Sequence, residues 1–426
     1  MADLEVEPSV LQGNLIVPSS KSHTLRAILF GALAKGTTKV ERFLLSPDTF
    51  AMIEAVRALG AEVRVEGDTL FINGFGGVPK PAEDVIDCGN SGLVLRFIGA
   101  IAGLIPQYCI LTGDLSIRTN RPVVPLLGAL NQLGVFAESS RGDGYAPILI
   151  KGPFIKERAT LDGEDSQPVS ALLIAGAFAP HPIEIFVKNP GEKPWIDLTL
   201  NWLERLGIRY KAEDYTHYKV EGRSQIHGFT YSVPGDFSTA AFPIVAALIT
   251  NSELCIHNID MDDIQGDKEL IPILKKMGAK FVIDKESKTI RVEKGASLKG
   301  IQLDINDAID ALPILAVIGS FASGKTEIMN GAIARKKESD RISAIACELK
   351  KMGAQIEETP DGLTIYSSNL HGAVLSSHND HRIALSLSIA AMGAKGKSQI
   401  CDIECIEKTY PNFVIDFQRI GAKCRT

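Results

Sequence analysis

Met352-Gly353-Ala354-Gln355-Ile356-Glu357-Glu358-Thr359-Pro360-Asp361-Gly362-Leu363-Thr364-Ile365-Tyr366 reads as a helix end followed by a hairpin. Upstream, residues 339–351 carry Ile342, Ile345, Ala346 and Leu349 at helical spacing. Gly353 then ends the helix, because glycine alone enters the left-handed conformation cheaply. Two short alternating runs flank Thr359-Pro360-Asp361-Gly362, a strong turn sequence.

The same apolar-Gly-apolar signature closes five further segments, at Leu59-Gly60-Ala61, Leu133-Gly134-Val135, Leu206-Gly207-Ile208, Met277-Gly278-Ala279 and Ile420-Gly421-Ala422. These glycines stand 68 to 75 residues apart. A period held over the whole chain means one supersecondary unit copied six times. Each copy holds a polar cluster, an apolar helix, an amphipathic helix and two short strands, so six copies predict two three-unit α/β domains. The crossings between domains are expected beside Pro18 and beside Pro234-Gly235, giving residues 1–17 with 235–426 as one domain and 18–234 as the other.

Composition narrows the function. The chain has 426 residues, 45% hydrophobic and 23% charged, with a net charge of −6. No broad basic surface is implied, which argues against nucleic acid as a partner. Any anion site must be built locally from a few cations. The seven cysteines are scattered and odd in number, and Cys401 and Cys405 have no histidine companion, so reduced thiols are expected rather than disulfides or zinc. The opening residues lack the basic and apolar regions of a signal peptide, and no apolar run approaches the ~20 residues that span a bilayer. A cytoplasmic location without membrane attachment is expected.

The polar clusters that open the apolar helices carry the chemistry. They are Pro18-Ser19-Ser20-Lys21-Ser22, Cys88-Gly89-Asn90-Ser91-Gly92, Thr119-Asn120-Arg121 before Pro122, Asp165-Ser166-Gln167, and Ser377-His378-Asn379-Asp380-His381-Arg382. Any single cluster reads as a helix cap. Five clusters, three with Lys or Arg at the helix start, point to an anionic substrate held by helix N-termini and charged side chains. Arg335-Lys336-Lys337-Glu338-Ser339-Asp340-Arg341 adds four cations and two acids, with Glu338 and Arg341 spaced to share a helix face. Gly319-Ser320-Phe321-Ala322-Ser323-Gly324-Lys325-Thr326 matches a P-loop pattern, but here a helix precedes and a strand follows, the reverse of what a P-loop needs.

Together these motifs resemble the 5-enolpyruvylshikimate-3-phosphate synthase family over nearly the whole chain. The matching runs are Pro18-Ser19-Ser20-Lys21-Ser22 with Arg26-Ala27, Gly89-Asn90-Ser91-Gly92, Arg121-Pro122, Lys193-Pro194-Trp195-Ile196-Asp197, Pro234-Gly235-Asp236, Lys337-Glu338-Ser339-Asp340-Arg341, Asn379-Asp380-His381-Arg382 and Lys408-Thr409-Tyr410-Pro411. The resemblance implies two similar domains, each of three βαβαββ units in an inside-out α/β barrel, with the active site in the interdomain cleft. It implies transfer of the enolpyruvyl group of phosphoenolpyruvate to the 5-hydroxyl of shikimate 3-phosphate, releasing phosphate through a tetrahedral intermediate. It implies no metal or organic cofactor, and a monomer is expected. By motif, Lys21, Gly92, Arg121, Gln167, Arg341, Arg382 and Lys408 would hold phosphoenolpyruvate. Lys21, Ser22, Arg26, Ser166, Gln167, Asp310 and Lys337 would hold shikimate 3-phosphate. Lys21, Asp310 and Glu338 are the expected catalytic groups, Asp310 as base at the hydroxyl and Glu338 with Lys21 at C3 and the phosphate.

The chain departs from the family pattern in places. Asp165 opens what is usually a Ser-Ser-Gln run, Glu192 and Trp195 replace a Ser and a Tyr, and Ile333 stands where some members have Asn. Two carboxylates beside a phosphate would repel it, so they either point away or weaken its binding. Leu93 and Phe97 replace a Thr and a Pro beside the family's glyphosate site, which predicts altered glyphosate sensitivity. The sister transferase acting on UDP-N-acetylglucosamine typically has Lys-Asn near its start and a cysteine in the loop before the Arg-Pro site. Here Ser22 follows Lys21 and residues 114–120 hold no cysteine. A non-catalytic anion-binding relative would lack the acid and base that Asp310, Glu338 and Lys21 supply.

Overall fold

A computed structural model describes residues 2–426. The six repeat glycines all take positive φ, from 69° at Gly207 to 103° at Gly60 and Gly278. Each follows directly on the helix C-cap residue, Leu59, Leu133, Leu206, Met277, Met352 or Ile420. A side chain there would be strained, so the repeat is dictated by helix termination.

Among the described residues the strands form six separate four-stranded sheets, all with one pairing pattern and none closed into a barrel. In the sheet built on the opening stretch, Gln302–Asp304 runs parallel to Lys325–Met329, which pairs antiparallel with Gly362–Tyr366, which pairs with Gln355–Thr359. Each unit is thus βαβαββ. The Gly319–Thr326 run holds the end of helix Leu312–Phe321 and the start of strand Lys325–Met329, so it is no phosphate loop.

Three sheets borrow a strand from far away in the sequence. Leu4–Glu7 inserts between Ser398–Cys401 and Lys423–Arg425. Gln12–Ile16 runs parallel to Glu253–His257. Thr230–Ser232 runs parallel to Lys35–Glu41. These exchanges divide the chain into two compact units, residues 1–18 with 234–426 and residues 19–233.

In the first unit, helices Phe237–Ile249, Leu312–Phe321 and His381–Gly393 pack on one another and are buried almost along their whole length. In the second, Gly92–Ala102 packs on Ser166–Phe178, and Lys21–Leu33 is equally buried. Helices apolar on every side belong in a core. Their polar residues reach a ligand only at the ends, which puts the chemistry at the N-termini. Five of these six helices have a Ser or Asp side-chain cap, namely Ser20, Ser91, Asp165, Asp236 and Asp380. The sixth, Leu312–Phe321, instead follows the 3₁₀ turn Asn306–Ala311 that carries Asp310.

Two local expectations are corrected. Thr119-Asn120-Arg121 does not open a helix: it ends the short helix Leu115–Thr119, and the next helix starts at Val124 with Pro125 in its first turn. The helix expected over 339–351 begins at Arg341, capped by Asp340, so Glu338 lies in the turn before it. All seven cysteines are free. Among the described residues no helix is long and apolar enough to cross a membrane.

Candidate active site

The expected site residues gather into one cluster in each unit. In residues 19–233 the cluster is built around three helix N-termini. Lys21 Nζ lies 3.5 Å from Asp48 Oδ2, which also accepts from Ser91 Oγ at 3.0 Å. Gly92 lets two cations come close: a Cβ there would overlap the guanidinium groups of Arg121 and Arg96, which would have to move aside. Arg96 is buried and donates to Gly92 O at 3.1 Å, Gln167 Oε1 at 3.2 Å and Pro122 O at 2.9 Å, and it pairs with Asp165 at 3.1 Å. It thereby ties together the segments that carry Gly92, Arg121 and Gln167. Sequence reasoning passed over Arg96, although one arginine inside the apolar run Leu93-Val94-Leu95-Arg96-Phe97-Ile98 was a signal.

Arg26 is the exceptional cation of this cluster. It is buried above the Phe97 ring, at 5.2 Å from the centroid. It donates to Ser22 O at 3.2 Å, Trp195 O at 3.4 Å and Thr199 Oγ1 at 2.8 Å, all neutral acceptors. Burial draws its pKa down to about 9, so it stays charged at neutral pH. A desolvated guanidinium facing only neutral acceptors is a strong attractor for an anion. Asp165 and Glu192 both turn to the start of helix Ser166–Phe178: Asp165 caps Gln167 N at 3.0 Å, and Glu192 Oε2 accepts from both Ser166 N and Ser166 Oγ at 3.0 Å.

In the other unit the cluster is an ion network. Arg341 is buried and donates to Asp310 Oδ1 at 2.7 Å, Glu338 Oε2 at 2.7 Å and Asp380 Oδ2 at 2.8 Å. Arg382 meets Asp310 Oδ2 at 2.9 Å and Ser238 Oγ at 2.8 Å. Lys408 meets Glu338 Oε1 at 2.8 Å. Asp380 caps the helix carrying Arg382 and also accepts from Ser339 Oγ at 3.1 Å. The Glu338–Arg341 pair forms although Glu338 lies outside the helix.

Burial alone would raise the Asp310 pKa, but the charges of Arg382, Arg341 and Lys337 prevail and hold it well below the usual carboxylate range. Burial disfavours the Arg341 charge, yet Asp380, Glu338 and Asp310 raise its pKa further. Lys337 is itself buried. Glu338, Asp380 and His381 bring potential metal-ligand atoms within 4.8 Å of one another. Both carboxylates are already engaged by Arg341, and Glu338 by Lys408 as well, so their charge is met from within the chain.

Paired carboxylates on cations, with arginines at helix ends, suit a reaction that moves protons beside bound anions. The sequence model of EPSP synthase (3-phosphoshikimate 1-carboxyvinyltransferase) matches residues 6–417. The chain belongs to the EPSP synthase family. A 3-phosphoshikimate 1-carboxyvinyltransferase of Acetivibrio thermocellus is 43% identical over 99% of both chains. One of Chlamydia caviae is 43% identical, covering 97% of this chain and 92% of its own. The solved EPSP synthase of Acinetobacter baumannii superposes with a TM-score of 0.83, at 28% identity and full coverage of both chains. The enolpyruvyl transferase NikO of Streptomyces tendae superposes at 0.79 with 18% identity, a likeness of fold alone. As an EPSP synthase family member, the chain is an enzyme with two similar units of three βαβαββ repeats.

Proposed function

We propose that both clusters serve one reaction, transfer of the enolpyruvyl group of phosphoenolpyruvate to the 5-hydroxyl of shikimate 3-phosphate. The observation that carries this is the continuous chain Lys408–Glu338–Arg341–Asp310–Arg382, which joins two candidate proton carriers to three cations by bonds of 2.7 to 2.9 Å. The hydroxyl adds to C2 while a proton is added to C3; phosphate then leaves as the C3 proton is removed. Asp310, ionised, accepts the hydroxyl proton. Glu338, protonated by the Lys408 ammonium hydrogen-bonded to it, gives that proton to C3 and retrieves one from C3 as phosphate leaves, and Lys21 meets the departing phosphate.

Arg341, Arg382, Lys408, Arg121, Lys21, Gly92 and Gln167 hold phosphoenolpyruvate in this reading. Arg26, Lys21, Ser22, Ser166, Gln167, Asp310 and Lys337 hold the phosphorylated acceptor. Arg26 suits that role because a bound phosphate supplies the negative charge its neutral partners do not. In this reading two anions enter and the proton transfers are internal, without cofactor, nucleic acid or membrane, and the proposed working form is a cytoplasmic monomer. The test is phosphate release by the purified protein given phosphoenolpyruvate with shikimate 3-phosphate, and in parallel with UDP-N-acetylglucosamine. Release with shikimate 3-phosphate alone is expected. Release with the nucleotide sugar alone would assign the chain to the sister reaction.

A further inference from the structure

Glu192 breaks two local rules at once. Its backbone is left-handed, with φ 46° and ψ 41°, a strained conformation for a residue other than glycine. It stands at the N-cap of helix Lys193–Arg205 yet makes no side-chain cap bond there. Its side chain, only 2% exposed, turns instead to Ser166, whose N–H and hydroxyl both donate to Oε2. The turn is pressed close to the segment before Ser166, since a Cβ on Gly191 would lie 2.8 Å from Glu164 O. Asp165 takes the next donor, Gln167 N. The start of helix Ser166–Phe178 is therefore filled by carboxylates of the chain itself, at the residue expected to receive a phosphate.

A carboxylate and a phosphate ask for the same donors and repel each other, so both cannot sit on Ser166. We propose that the Glu192 carboxylate occupies the seat of the acceptor's phosphate at Ser166, so that acceptor binding requires its displacement and Glu192 sets how strongly a phosphorylated acceptor is preferred. This rests on the reading above that Ser166 receives the phosphate. Displacement lowers apparent affinity by the fraction of enzyme whose seat is open. Glu192→Gln keeps the shape but weakens the hold on Ser166, because a bond to a charged acceptor is about twice as strong as a neutral one. Glu192→Ser removes the occupant.

The experiment is steady-state kinetics of the wild type, E192Q and E192S with shikimate 3-phosphate and with unphosphorylated shikimate. In both variants KM for shikimate 3-phosphate should fall about tenfold, exceeding any change in kcat, while KM for shikimate stays put. An unchanged or raised KM for the phosphorylated acceptor, or an equal shift for both acceptors, overturns the proposal and makes Glu192 a structural brace. A second readout needs no turnover: inorganic phosphate should raise the Tm of E192Q more than that of the wild type. Equal responses overturn the proposal even if the wild type turns over another acceptor. Wild-type silence with shikimate 3-phosphate overturns only the reading of the reaction.

Discussion

The two clusters handle charge in opposite ways. Around Arg341, every cation is answered by a carboxylate of the chain: Asp310, Glu338 and Asp380 surround it, and Arg382 and Lys408 close the ends. Around Arg26, a buried cation faces only carbonyl and hydroxyl oxygens. The first cluster is organised before any ligand arrives, and an incoming anion must compete for its cations. In the second, Lys21 and Arg96 are paired with Asp48 and Asp165, but Arg26 holds uncompensated charge and gains directly from an anion. An ion network suits proton transfer, where groups must be positioned, whereas a desolvated lone cation suits binding.

That contrast can be broken most sharply at Glu338. Glu338→Gln should lower kcat by about 10²–10⁴ with little change in the far-ultraviolet spectrum, as measured by phosphate release; retained turnover would leave the network a purely structural one. Next in size, Arg341→Ala strands three carboxylates without their shared cation and should cost about 3–5 kcal/mol of stability, read by urea unfolding. Arg26→Met in the other cluster is the converse case. It should raise KM for shikimate 3-phosphate by about 10- to 100-fold while Tm holds or rises, because no carboxylate is left behind. A Tm loss as large as that of Arg341→Ala would erase the distinction.

The smallest effect concerns acid. The folded Asp310 pKa lies below its unfolded value near 3.8, so the stability gained from ionisation is present above that value and lost as pH falls below it. Asp310→Asn should therefore lose less stability than the wild type between pH 5 and pH 3, by about 1 kcal/mol, in parallel urea titrations.

Much of the fold is readable in the sequence because it rests on local signals. The six glycines end helices wherever they occur, and Thr359-Pro360-Asp361-Gly362 turns whatever surrounds it. The strand exchanges are not readable in this way, since nothing in Gln12–Ile16 names Glu253–His257 as its partner. Parallel pairing is settled by tertiary packing rather than by neighbours. The same divide runs through the site. Lys21, Ser22 and Arg382 follow from helix starts, and Arg341 from its motif. The role of Arg96 depends on segments 26 to 71 residues away. That Glu192 turns from its own helix to Ser166 depends on a left-handed turn that the preceding Pro190-Gly191 does not by itself specify.

The strand Leu4–Glu7 has a consequence for how the molecule is made. It leaves the ribosome long before the two strands that flank it, Ser398–Cys401 and Lys423–Arg425. Residues 19–233 emerge as one uninterrupted block and can complete their sheets during synthesis. The other unit must keep the strand Leu4–Glu7 unpaired until Ser398–Cys401 and Lys423–Arg425 have been made. Glu5 and Arg425 end as partners in register, so a circular permutant joined there and opened in a loop of residues 234–426 would deliver that unit without the wait.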